Sequence, residues 1–341
     1  MTDAKSSPAL TPARPREAKR PSAVARGLLL AAAGAGMLAM LGLLAPAASA
    51  AGEDAAPFTP DELEPLLQSL QDEGLPRPLL NDVFYDDRLR KTRTAVTLNS
   101  VNPDSAALYA QFSERYAIML AKRFKRKHFD ALERAEQEYG VPGNVITAVL
   151  LVETQFGTYP LRYRVLEVYT TLVVDANHDA IDRHFERIKT DYPDLERDYF
   201  AQRITTKAQW AYAELVALLN MGAPDPKRLY EIKGSYAGAF GMPQFLPSSY
   251  LRWAVDGNGD GHVDINDTAD AIASIANYLR EHGWVPGAGL EQKMRAVWLY
   301  NRSPHYVDAI FEISRRMKLP PRKRAMARET LTASANNGEP G

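Results

Sequence analysis

The stretch Asn144-Val-Ile-Thr-Ala-Val-Leu-Leu-Val-Glu153-Thr-Gln-Phe-Gly157 decides how this chain is read. Asn144 is a helix-start residue, and Gly157 can close the helix in the left-handed conformation. Between them Ile146, Val149, Leu150 and Glu153 fall at i, i+3, i+4 and i+7, so they share one face. Glu153 is the single charged side chain from Asn144 to Phe156. Apolar neighbours disfavour its carboxylate by desolvation, and the unsatisfied carbonyls at a helix C-terminus repel negative charge. Both effects raise its pKa, and a carboxyl that keeps its proton near neutral pH is what general acid catalysis needs. The plainer alternative is a Glu at a helix edge, solvated or paired with Arg162 or Arg164. Taken alone, the segment favours that alternative.

Outward from this stretch the chain reads as helices, and strand-like alternation is scarce. Leu63, Leu66, Leu67 and Leu70 share a face, behind the capping signals Thr59, Pro60 and Glu62. Pro65 interrupts that pattern. Residues 82–104 read as polar and irregular, with short extended pieces. One or two helices are expected over 105–139, stopped by Gly140 and Pro142, and another from about Thr206 to Met221. The fold class expected is mainly α. The organisation expected is an N-terminal helical region over 58–138, a core over 139–319, and a basic, disordered tail over 320–341.

The chain has 341 residues, 45% of them hydrophobic, a net charge of -1 and no cysteine. That supports a packed core and excludes a disulfide scaffold, a Cys nucleophile and thiolate metal sites. It also excludes a lipid anchor on an N-terminal Cys. The charge balance argues against a nucleic-acid binder. Residues 1–26 are basic, Gly27 to Ala45 carries no charge, and Ala48-Ser49-Ala50 is a small-residue cleavage site. Together they read as a signal peptide over 1–50, followed by a linker over 51–57, and as export to a bacterial periplasm. The same uncharged run is long enough to act as an uncleaved membrane anchor. Two basic clusters, Lys122 to Lys127 and Arg315 to Arg324, read first as solvated helix faces and second as attraction to an anionic polymer or membrane surface.

Asp256-Gly-Asn258-Gly-Asp260-Gly261-His262-Val-Asp264-Ile-Asn-Asp267 has the spacing of a twelve-residue calcium loop. Asp256, Asn258 and Asp260 offer side-chain oxygens, Gly261 stands at the sharp turn, and His262 would lend its backbone carbonyl. Asp267 occupies the twelfth position, where Glu is usual. A single loop of this kind indicates a structural staple. The glycine-rich stretch Gly234-Ser-Tyr-Ala-Gly-Ala-Phe-Gly-Met-Pro-Gln-Phe-Leu-Pro-Ser-Ser-Tyr250 lets backbone approach a ligand closely. Its Ser235, Tyr236, Gln244 and Tyr250 suit a sugar, although a tight structural turn accounts for it equally well. Tyr300 and Asn301 end a helix ahead of the cap Ser303-Pro304. Asn301 is either a helix C-cap or an amide aimed into a cleft.

Together, Tyr139-Gly-Val-Pro142, Val152-Glu-Thr-Gln-Phe-Gly157, the glycine-rich stretch, the Asp256–Asp267 loop and Tyr300-Asn301 resemble the membrane-bound lytic murein transglycosylase B family. The resemblance runs over roughly residues 58–318. It implies a lysozyme-like core with one EF-hand-like calcium site. It implies cleavage of the β-1,4 bond between N-acetylmuramic acid and N-acetylglucosamine in peptidoglycan glycan strands. The product end is 1,6-anhydromuramic acid, with Glu153 acting as acid and then as base and the substrate's own acetamido and hydroxyl groups replacing a second carboxylate. It further implies that Ser235, Gln244, Tyr300 and Asn301 bind substrate and that Asp256, Asn258, Asp260, His262 and Asp267 hold calcium. Lipid-anchored members of the family carry an N-terminal Cys that is not found here, so a soluble periplasmic form is expected, as a monomer. A calcium-stabilised wall-binding module without catalysis and a hydrolytic muramidase are the competing readings. Relatives often carry adjacent arginines on the helix after the catalytic one, whereas Arg183 and Arg187 here are not adjacent.

Overall fold

The computed structural model describes residues 56–101, 104–222 and 225–318. The expected signal peptide, the first five linker residues and the basic tail lie outside the described residues. Within them the protein is mainly helical. Helix α1 (Pro60–Asp72) starts on a complete capping box, with Thr59 Oγ accepting the Glu62 N–H and the Glu62 carboxylate accepting the Thr59 N–H. Pro65 sits inside this helix without ending it. Leu63, Leu66, Leu67 and Leu70 are buried as one face, worth roughly 1.5–3 kcal/mol each. Helix α2 (Arg77–Phe84) follows.

Helix α3 (Arg93–Val101) occupies a stretch expected to be irregular. Its buried face includes Asn99 and Ser100. Asn99 Nδ2 donates to the Ala95 and Tyr236 carbonyls, each at 2.8 Å, and Ser100 Oγ donates to the Val96 carbonyl. A helix that buries satisfied polar groups leaves no apolar stripe for periodicity to detect.

Over 105–139, where one or two helices are expected, three form: α4 (Ala106–Ala110), α5 (Arg115–Lys127) and α6 (Phe129–Tyr139), with a 3-10 turn at Gln111–Ser113 between the first two. Gly140 closes α6 at φ 73°. Helix α7 (Gly143–Thr154) then runs through the centre, packed by α5, α6, α12 and α14. It is apolar all round, as a helix enclosed on every side must be. Helix α8 (Val165–Val174) is equally buried and lies on α10 (Arg197–Met221). Helix α10 starts nine residues before the expected Thr206, because Phe200 and Ile204 carry its buried face N-terminally. Helix α9 (His178–Ile188) links the two.

The only strands among the described residues are β1 (Tyr163–Arg164) and β2 (Lys233–Gly234), paired antiparallel with Tyr163 opposite Gly234. Helices α11 (Pro247–Trp253) and α12 (Thr268–Glu281) flank the Asp/Gly loop. Helices α13 (Leu290–Tyr300) and α14 (Pro304–Arg316) complete the order. No helix among the described residues is long and apolar enough to cross a membrane.

Candidate active site: a buried acid beside the glycine-rich loop

Helix α7 begins and ends differently from the expectation. Pro142, not Asn144, takes the cap position. The reason is Glu136 on α6, whose carboxylate accepts the Gly143 N–H at 3.0 Å and so satisfies the first donor from outside. Asn144 turns instead to α14, donating to the Ser314 carbonyl. At the other end three residues in succession are left-handed, Gln155 (φ 45°), Phe156 (φ 64°) and Gly157 (φ 81°). Gln155 is the C-cap, so Gly157 ends the turn rather than the helix. The cost of left-handed backbone at Phe156, roughly 1–2 kcal/mol, is offset by its ring stacking on Phe124 of α5 at 4.2 Å. Thr154 Oγ accepts the Gly157 N–H and donates to the Met242 carbonyl, each at 2.9 Å. The end of α7 is thereby tied to the glycine-rich loop.

Glu153 lies in the last turn of α7 with 1% of its surface exposed. Its Oε1 accepts the Tyr306 hydroxyl at 2.6 Å, while Oε2 is buried and has no hydrogen-bond partner among the described residues. Burial pushes the carboxyl well above its ordinary value, and the Tyr306 hydrogen bond opposes this only in part. No ion pair to Arg162 or Arg164 forms among the described residues, and Arg164 pairs with Glu167 at 3.1 Å. Tyr306 stacks on Tyr300 and meets Tyr109 edge to face. Burial, with Glu153 nearby, holds the phenols of Tyr300 and Tyr306 protonated far above their ordinary range. The acid therefore sits among neutral tyrosine hydroxyls, with no ion-paired cation among the described residues to draw off its proton.

The other expected substrate residues divide. Tyr300 and Asn301 belong to the Glu153 cluster. The Tyr300 hydroxyl donates to the Pro243 carbonyl, and Asn301, the C-cap of α13, places Nδ2 at 3.5 Å from the Tyr109 hydroxyl. Gln244, beside Pro243, has φ 49°, donates Nε2 to the Gly241 carbonyl, and leaves Oε1 buried without a partner among the described residues. Ser235 makes its hydrogen bonds within the loop, to Gly238 and Ala239. Tyr109 and Tyr306 escaped the sequence reading. Tyr306 does fall on one stripe with Ile310 and Ile313, the buried face of α14, so a phenol on an apolar face was the available signal.

The glycines of the loop are sterically required. A Cβ on Gly238 (φ 77°) would lie 2.3 Å from Tyr169 Cζ, and one on Gly241 (φ 71°) would lie 2.5 Å from Ile265. Tyr169 also donates its hydroxyl to the Gly238 carbonyl at 3.0 Å. Met242 N–H bonds to the Ile265 carbonyl at 3.0 Å, joining this loop to the Asp/Gly loop.

In the Asp/Gly loop the side chains bond to the loop's own backbone. No group of three His, Asp or Glu able to hold a metal occurs among the described residues. Each side chain instead takes a backbone N–H a few residues on, in Asx-turn fashion. Asp256 accepts from Gly259 and Gly261, Asn258 from Asp260, and Asp260 from His262. His262 itself is exposed. Asp267 is committed to the N-cap of α12, accepting from Ala269 and Asp270. Asp270, which the spacing overlooked, is 1% exposed and turned into the loop, accepting from Gly257, Asn258 and Asp264.

Residues 59–296 match the transglycosylase SLT domain family. The chain belongs to this family. Within it, the membrane-bound lytic murein transglycosylase B of Escherichia coli K12 is 37% identical over 164 residues, covering 48% of this chain and 38% of that relative. The chain thus matches well under half the length of this curated relative. The soluble lytic transglycosylase SltB1 of Pseudomonas aeruginosa is 25% identical, with a TM-score of 0.60, over 78% of this chain and all of that one. The Escherichia coli lytic transglycosylase SLT35 in complex with calcium has a TM-score of 0.58 at 23% identity, over 78% of this chain and 96% of that one. The mainly helical fold described above is thus the one these structures share.

Proposed function

We propose that the protein is a lytic murein transglycosylase with Glu153 as its single catalytic carboxyl. The observation that carries this reading is the division of labour between the two oxygens of that buried acid. Oε1 is held by the Tyr306 hydroxyl, so the proton resides on Oε2, the atom with nothing to bond. An unsatisfied buried polar atom is costly unless a ligand meets it. In the proposed reaction the Oε2 proton passes to the glycosidic oxygen as the β-1,4 bond to N-acetylglucosamine breaks. The muramic 6-hydroxyl then attacks the anomeric carbon and surrenders its proton to the carboxylate, restoring the acid and leaving a 1,6-anhydro end. No water is consumed. Because Glu153 is closed off, a sugar reaches Oε2 only by displacing side chains packed over it. Tyr300, Asn301 and Gln244 border that space, and the unpartnered Gln244 Oε1 is an acceptor for a sugar hydroxyl or acetamido N–H. Ser235 is assigned to the same groove through the loop it shapes. The substrate is peptidoglycan glycan strands, and the enzyme acts outside the cytoplasm, following the basic and uncharged N-terminal pattern.

Mass spectrometry of products from purified murein tests this. Anhydro ends are expected, and products one water heavier make the protein a hydrolase. Binding without release favours a non-catalytic wall-binding module. Tyr306→Phe should lower kcat and move the alkaline limb of the pH profile upward. The reason is that the lost hydrogen bond stabilised the carboxylate, so Glu153 holds its proton to higher pH. An unmoved limb would separate Tyr306 from the acid's ionisation.

For the Asp/Gly loop the reading is a structural calcium ion. The donor chemistry fits, being all hard oxygen, and Asp270 is a buried carboxyl with no ion pair among the described residues. Asp256, Asn258, Asp260 and the His262 carbonyl would hold the ion, with Asp270 in place of Asp267 as the closing acid. Calcium would supply a staple between α11 and α12 and take no part in bond cleavage. Free calcium at a hundredfold excess over its Kd should stabilise the protein by about 2.7 kcal/mol. Differential scanning calorimetry with chelation and readdition should show that increment lost in Asp270→Asn and kept in Asp267→Asn.

A further inference from the structure

Helix α5 contains six cationic residues and no acidic one. Its inner face, Ala117, Ile118, Ala121 and Phe124, is buried. Its outer face does not match an ordinary solvated face, because Tyr116 and Met119 stand 67% and 53% exposed there. With Arg123 they fall at i, i+3 and i+7, the centre line of the exposed arc. On helical spacing Arg115, Lys122 and Arg126 flank that line on one side and Lys127 on the other. None of Arg115, Lys122, Arg123, Arg126 and Lys127 forms an ion pair among the described residues. Elsewhere on the surface Arg77, Arg88, Arg197, Arg315 and Arg316 are all paired. Arg316, at the start of the second basic stretch, reaches the turn before the same helix, donating to the Ser113 carbonyl at 2.7 Å.

We propose that the outer face of α5 docks onto a bilayer surface containing anionic phospholipid, seating Tyr116 and Met119 at the headgroup boundary. Unpaired cations alone would serve any polyanion. A phenol and a thioether exposed along the centre of the cationic arc gain nothing from a soluble polyanion, and both gain from a surface that is anionic outside and apolar beneath. The long Lys and Arg side chains at the edges can reach outward to the headgroups while their stems lie along the boundary. Through the Phe124–Phe156 stack on its inner face, α5 is joined to the end of α7, so docking would also set how the helix bearing Glu153 is presented to the wall.

The absence of native cysteine makes a site-specific test direct. Full-length Met119→Cys carrying an environment-sensitive fluorophore is mixed with phosphatidylglycerol–phosphatidylcholine vesicles or with phosphatidylcholine alone. The expected result is a blue-shifted, severalfold brighter emission with the anionic vesicles only, quenched by nitroxide lipids and lost when Lys122, Arg123 and Arg126 are changed together to Gln. The same label at Tyr199, which is 53% exposed on α10, should not respond. Each label reports its own position, so entry of the uncharged 27–45 run into a vesicle cannot imitate the result. An unchanged signal at position 119, or an equal one at 199, overturns the proposal. So does a triple variant that loses retention on insoluble murein while the parent gives no vesicle signal, since that assigns the face to the wall.

Discussion

Glu153→Gln should reduce anhydromuropeptide release by roughly 10²–10⁴-fold, the contribution of a positioned general acid, and should at the same time make the protein harder to unfold. Both outcomes come from the same burial. Gln keeps the acceptor for the Tyr306 hydroxyl but has no proton to give a leaving oxygen. As for stability, the folded-state pKa of Glu153 is raised above its ordinary 4.5. The folded protein therefore binds more protons than the unfolded chain above that pH, and stability falls as pH rises toward the folded pKa. Gln has no such dependence. The stability difference between variant and parent should be small below about pH 4 and should widen toward neutrality, as read from denaturant midpoints across that range. A variant that cleaves murein at the parental rate removes Glu153 from the chemistry. A difference that does not change with pH would mean the acid is solvated in the folded state.

Gly238→Ala should cost about 2–5 kcal/mol, the sum of left-handed backbone strain and overpacking against a ring that has no room to retreat. The added Cβ would stand 2.3 Å from Tyr169 Cζ, and Tyr169 is itself fully buried, edge to face with Trp210. The Tyr169 hydroxyl holds the Gly238 carbonyl, so relieving the clash also breaks that bond. Urea denaturation of Gly238→Ala, Tyr169→Leu and the double variant tests the cause. The double variant should lose less than the sum of the singles, because the shorter side chain vacates the space the methyl needs. Strict additivity would place the damage in backbone strain alone. Murein cleavage should fall with Gly238→Ala as well, since Gln244 and the Pro243 carbonyl that holds Tyr300 lie on the same loop.

Much of the candidate site was legible because its signals are local. Glu153 stood out as the lone charge in an apolar run, and a helix that is apolar all round has to be buried. The Thr59–Glu62 capping box, the Gly140 stop and the Ser303-Pro304 start were readable because each acts within a turn of its own residue. The misreadings share a cause. Asn144 lost the cap of α7 to Glu136, which reaches across from another helix. Helix α3 was missed because Asn99 finds its partner in Tyr236, 137 residues away. The spacing also did not show that Asp267 caps α12 or that Asp270 turns into the loop, because both depend on how α12 packs against it.

What the chain determines by itself, then, is most of the helices, the lone carboxyl in an apolar run and the two glycine-bearing loops, since these depend on periodicity and turn chemistry within a few residues. Only the tertiary structure decides which oxygen of Glu153 is held and which is free, because Tyr306 arrives from 153 residues further along. It also brings Arg316 of α14 onto the turn before α5 and leaves Tyr116 and Met119 facing outward. Burial and partnership are properties of what packs on top of a residue, and a residue's near neighbours in sequence carry no record of that.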